Sequence, residues 1–207
     1  MGVNAEDLPK GELSDGEQSD TVAAYTAACA FFGQQLTEIT EFEWTIETPC
    51  DEWDVRTLVA HVVTGEALVT SLLTGGEVFE SQADPSILGL NPMAAWRGTV
   101  LAAIESASAD GALNALHPHA LGDLPGGVII GFRVTENLVH GWDLAQACGS
   151  DVELPESLAE RCLDFWLPLA GPDGLLKARA APFGPSVMPS SGSSPGVRLL
   201  SLLGRTA

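Results

Sequence analysis

Between Val128 and Cys148 the chain reads VIIGFRVTENLVHGWDLAQAC, with apolar residues recurring at helical intervals and only two glycines interrupting them. The pattern predicts one helix, around which the rest of the chain is organised. On it Phe132, Glu136, His140, Asp143 and Ala147 follow one another at steps of three or four, so all five project from one face. Glu136 and His140 are therefore stacked neighbours. A carboxylate and an imidazole one turn apart, on a stripe flanked by apolar residues, are either a buried hydrogen-bonded pair or two arms of a metal site.

Other segments carry the same periodicity. Thr21 to Ile39 places Val22, Tyr25, Cys29, Phe32 and Leu36 at helical spacing, with Asp20 available as an N-cap. Asp54 caps a second predicted helix from Val55 to about Thr74, where Gly75 and Gly76 stop it. Its inward stripe is Leu58, His61, Val62, Gly65, Leu68 and Leu72. Residues 77–91 read as a loop, and Pro92 opens a third helix that ends near Ser108. An extended connection or short hairpin follows, with His117 and His119, before the central helix. Beyond Gly149, Leu154 to Ala170 and Val197 to Leu203 read as two further helices. Residues 1–20, polar and acidic, are expected to form a flexible arm, and residues 21–207 a single domain.

An inward histidine costs free energy unless both ring nitrogens find partners, and alone it is more often a satisfied core residue than a ligand. His61 is not alone. If the second and fourth helices face each other, His61, Glu136 and His140 meet in the core, where helix bundles commonly hold metals. Two histidines and one glutamate suit zinc with a fourth position for water or substrate. Nickel, iron and manganese accept the same ligand types, so the donor set does not select among them. The rival reading is a metal-free network in which the three residues satisfy one another. Asp143 is a candidate for orienting an imidazole from outside the ligand set. His117 and His119 are candidates for proton transfer, weighed against the commoner case of solvent-exposed loop histidines. Trp53, Trp96 and Trp142 read as packing residues, and Cys148 has no cationic neighbour in sequence to make it a nucleophile.

The 28 acidic and 9 basic residues exclude a phosphate-tracking nucleic-acid surface and attraction to anionic lipid. No apolar run approaches the roughly 20 residues of a membrane span. Cys29, Cys50, Cys148 and Cys162 show no CxxC spacing, which fits reduced thiols and a cytoplasmic location.

Three strings carry a family resemblance: PCDEWDVRTLVAH, ENLVHGWDLAQACG, and APFGPSV followed by VRLLSLLGR. They resemble the actinobacterial metal-binding proteins related to mycothiol-dependent maleylpyruvate isomerase, within the DinB-like superfamily. The resemblance implies an all-α, DinB-like four-helix bundle with up-down-down-up connectivity and additional C-terminal helical segments. It also implies a divalent metal held by a second-helix histidine and two fourth-helix residues one turn apart, which by position are His61, Glu136 and His140. Relatives include isomerases and transferases that depend on a low-molecular-weight thiol such as mycothiol, while the segment after this bundle is shorter than the isomerase's second domain. A thiol-dependent transferase or isomerase with a metal-activated thiolate is the leading expectation, acting on a small molecule as a monomer or homodimer. A metal-dependent hydrolase and a non-catalytic, stress-related bundle with a structural metal are the alternatives.

Overall fold

The computed structural model describes residues 8, 11–51, 53–79, 83–170 and 185–206. They fall in two compact units, one of residues 11–152 and one formed by residues 153–207 with the first ten.

The larger unit holds four long helices, α1 (Asp15–Glu38), α2 (Val55–Leu73), α3 (Pro92–Ala107) and α4 (Gly126–Ala147). A two-residue hairpin, β1 (Leu116–His117) with β2 (Leu124–Pro125), leads into α4. Caps explain three of the starts. The Asp54 carboxylate accepts from Thr57 N at 2.8 Å, Asn91 accepts from Ala94 N at 3.0 Å with Pro92 in the first turn, and Ser14 caps α1.

The last of these corrects the expected start at Thr21. Ser14 and Glu17 form a reciprocal capping box, which satisfies two orphan N–H groups and starts the helix at Asp15. Asp20 and Thr21 are thus interior, Thr21 buried with its hydroxyl donating to Glu17 O. Residues 15–20 of the expected arm are therefore helical, Leu13 is tied to the Asn114 side chain through its N–H and C=O, and residues 1–7, 9 and 10 lie outside the described residues. Leu101 of the third helix, whose hydrophobic side chain a helical spacing with Met93, Trp96, Val100 and Ile104 puts on the apolar side, is exposed.

Helix directions follow from what each end touches. Leu13 lies against Gly127 and Phe31 against Gly141, so α1 and α4 run parallel. Cys50, just before α2, reaches Asp143 late in α4, whereas Glu66 late in α2 reaches Arg133 early in α4, so these two are antiparallel. Trp96 at the start of α3 meets Gly33 near the end of α1, and Ser108 shares a surface groove with Asp15 and Ser19 at its beginning. Hence α3 is antiparallel to α1 and parallel to α2, and the bundle is up-down-down-up. The parallel α2–α3 pair also explains the long connection between them, whose described residues include a 3-10 turn, Pro85–Leu88.

Glycines mark the closest crossings. A Cβ at Gly33 would meet the Trp96 ring, one at Gly65 the Arg133 guanidinium, and one at Gly141 the Phe31 ring. Around them Phe32, Leu36, Val55, Leu58, Val59, Val62, Val63 and Leu144 form a continuous buried cluster.

The smaller unit contains α5 (Glu156–Ala170) and α6 (Pro195–Leu202), the latter capped by Ser194. Gly196 allows the chain to lie close to Leu154. The APFG half of the third resemblance string, residues 181–184, lies outside the described residues.

Candidate metal centre

Two helices supply the site because their inward faces oppose each other over the same two turns. His61 stands in the second turn of α2, and Glu136 and His140 share a face of α4. Their tips converge. Glu136 Oε2 lies 2.9 Å from His61 Nε2 and 3.1 Å from His140 Nε2, and the three donor atoms all fall within 4.8 Å of one another. The side chains of His61, Glu136 and His140 are 13, 8 and 2 % exposed, so access is from the His61 side. The imidazole rings meet edge to face, 5.2 Å between centroids, and the Trp53 indole lies 4.6 Å from the His61 ring.

The two imidazoles are held differently. His140 Nδ1 sits 3.0 Å from Asp143 Oδ2, one turn further along α4. Burial opposes a charge on His140, but its hydrogen bonds with Asp143, Cys50 and Glu136 outweigh that cost and hold its pKa well above the ordinary value. On His61 burial wins and the pKa falls despite Glu136. His61 Nδ1 is buried without a hydrogen-bond partner, so the ring spends its polar capacity through Nε2, on the cluster. Burial would raise the Glu136 carboxyl, yet the His140 and His61 hydrogen bonds reverse it and keep it well below the carboxylate range.

Two groups of residues escaped the sequence reading. Cys50 Sγ lies 3.2 Å from Asp143 Oδ2 and 3.7 Å from His140 Nδ1, completing a second set of potential donors on the far edge of the same ring. Thr48 holds it there, accepting from Cys50 N and donating to Trp53 O. The second group lies one turn deeper in the seam. Glu66 is fully buried, and its Oε1 accepts from Arg133 Nη2 at 2.8 Å and Asn137 Nδ2 at 2.6 Å, while Tyr25 donates to its Oε2. Glu66 and Arg133 carried a signal, since each is the lone fixed charge of its sign on a largely apolar helix.

His117 and His119 join neither donor group. Contrary to the solvent-exposed reading, His117 is buried on β1 with Nε2 2.8 Å from Ala112 O, because the hairpin folds its strand against the preceding turn. His119 Nδ1 accepts from Leu121 N, and its ring stacks on Phe132 at 6.1 Å.

The family model for the mycothiol maleylpyruvate isomerase N-terminal domain matches residues 25–145, a span containing His61, Glu136, His140 and Asp143. The chain belongs to this family. Two uncharacterized proteins of Mycobacterium tuberculosis, from strains CDC 1551 / Oshkosh and H37Rv, are each 31% identical over 187 residues, covering 90% of this chain and 98% of the relative. Crystal structures of the mycothiol-dependent maleylpyruvate isomerase and of its histidine-to-alanine mutant share the fold at a TM-score of 0.58 and 18% identity, over 76% of this chain and 69% of the isomerase. Membership of the maleylpyruvate isomerase family accords with the all-α DinB-like bundle. Among the described residues no helix is long and apolar enough to cross a membrane.

Proposed function

We propose that His61, Glu136 and His140 hold a divalent metal, zinc being the ion their donor types suit, in a thiol-dependent transferase or isomerase that uses mycothiol or a similar low-molecular-weight thiol. The observation that carries this reading is the convergence of both Nε2 atoms on one carboxylate oxygen in a nearly closed seam. Both Nε2 atoms lie 2.9 and 3.1 Å from the same carboxylate oxygen and all three donor atoms fall within 4.8 Å of one another, close enough for one ion to be held by His61, Glu136 and His140.

Formal charge fits as well. Once His140 gives up the proton that its raised pKa favours, as ligation requires, Glu66, Glu136 and Asp143 against Arg133 leave the seam two negative charges that a divalent cation matches. Protein residues keep defined tasks around it. Asp143 fixes the His140 ring and its tautomer, Trp53 covers the His61 face, and the partly exposed His61 edge admits the thiol. When bound, such an ion lowers the pKa of a thiol that enters beside it, supplying a nucleophile near neutral pH.

Protein prepared without a histidine tag is expected to carry close to one metal ion per chain and to lose it in His140→Ala. Retention of the metal by that variant, or turnover of ester and amide substrates at full rate without any thiol, would overturn the proposal.

A further inference from the structure

Beneath the donor set, a second polar layer crosses the same seam, and it is coupled to the first through one atom. Arg133 spends Nε and Nη2 on Glu66 Oε1, at 3.2 and 2.8 Å, and Nη2 also reaches Val62 O at 3.3 Å. That fixes the plane of the guanidinium and leaves Nη1 aimed at Glu136, 3.8 Å from Oε2, the same oxygen on which both histidines converge. The slot is built to size. A Cβ on residue 65 would stand 2.4 to 2.7 Å from the guanidinium atoms, so glycine there is what lets Arg133 pass between the helices. Tyr25 and Asn137 hold Glu66 from its other sides.

We propose that Arg133 is a positioning residue for Glu136, and that Gly65 and Glu66 exist in this seam to hold the guanidinium where it sets the affinity and geometry of the metal site. The inference rests on the metal reading above. Its physical basis is that a metal ion displaces the two imidazole N–H groups that otherwise orient the Glu136 carboxylate. Among the described residues, Arg133 is then the charged side chain that still faces Glu136 Oε2. Glu66 cancels the charge of Arg133, so the pair acts on Glu136 through direction more than through net charge. A carboxylate on three rotatable bonds, freed from that contact, no longer presents Oε2 to the ion in one fixed orientation.

Two variants separate position from charge. The double variant Arg133→Met, Glu66→Gln removes one charge of each sign, keeping an oxygen to accept from Asn137 and setting an amide N–H against the Tyr25 hydroxyl oxygen. Gly65→Ala keeps every charged group and only pushes the guanidinium from its slot. Zinc affinity, measured by competition with a chromophoric chelator, is expected to fall about 10- to 100-fold in both, with altered cobalt(II) ligand-field bands. Affinity and spectrum within about twofold of the parent in Gly65→Ala, with only the melting temperature moved, would overturn the inference and leave the layer purely structural. That variant decides the matter should the double variant fail to fold. If the parent protein binds neither zinc nor cobalt, the metal reading falls first and this inference with it.

Discussion

The α2–α4 seam contains two polar layers one turn apart, and they are built to opposite standards. In the deeper layer, opposite charges are matched one to one and nearly every buried group has a partner, Asn137 Oδ1 being the exception. The upper layer crowds two imidazoles onto one oxygen and leaves His61 Nδ1 unpaired. A buried network that is complete rigidifies a core, whereas one with surplus donor atoms aimed at a common point is free to take a ligand. The difference teaches where chemistry and where support should be sought.

The largest expected effects test that division by removing one cation from each layer. Arg133→Met alone strands the buried Glu66 and is expected to cost about 3–5 kcal/mol in chemical denaturation. His140→Ala leaves Glu136 and Asp143 without their shared imidazole and is expected to abolish metal binding, read by elemental analysis. If Arg133→Met were neutral to stability, the deeper layer would lose its claim to be structural.

Acidity sharpens the contrast next. The raised His140 pKa means that, without metal, stability from its protonated form is fully present below the ordinary histidine value near 6.5 and is lost as pH rises through the raised value. His61 has the opposite sign: folding keeps it neutral, so its contribution is lost as pH falls through the ordinary histidine value toward the depressed one. Metal must displace the His140 proton, so zinc affinity is expected to rise with pH and binding to release protons. Thermal melts across pH with zinc and with chelator check both signs; a zinc-induced increment independent of pH would refute them.

Smaller effects mark the boundary of the seam. Trp53→Ala removes the indole from the His61 ring and is expected to cost about 0.5–1.5 kcal/mol beyond lost burial and to weaken metal retention. Ser14→Ala removes the α1 capping box and is expected to cost about 1 kcal/mol while leaving metal affinity unchanged, a control for everything outside the two layers.

The helical period made much of this legible. It set Glu136, His140 and Asp143 on one face of α4 and His61 on the inward stripe of α2, because inward faces follow from spacing, whereas the meeting of the two faces is a tertiary contact. Glu66 and Arg133 stayed hidden because a charge on a helix ordinarily reads as a solvated face, and only the Gly65 slot reveals why these two turn inward. Cys50 stayed hidden for a different reason, since its approach to His140 depends on the 44–54 loop closing through the Glu47–Asp54 bridge and the Thr48 contacts. Ser14 and Glu17 were masked by acidic composition, although their i, i+3 spacing is itself a start signal. The burial of His117 depends on the hairpin folding back on the turn before it, a contact that local spacing does not carry.

The proposed ligand set also bears on when such a site would form. His61 and Glu136 are 75 residues apart, whereas Glu136 and His140 are neighbours on one helix. An ion meeting the unfolded chain finds at most the local pair, and the third donor arrives only after the intervening loop has been closed at its entropic cost. Contacts formed after the rate-limiting barrier leave the folding rate nearly untouched and slow escape from the native state. Metal is therefore expected to lengthen the lifetime of the folded molecule and to do little to hasten its birth.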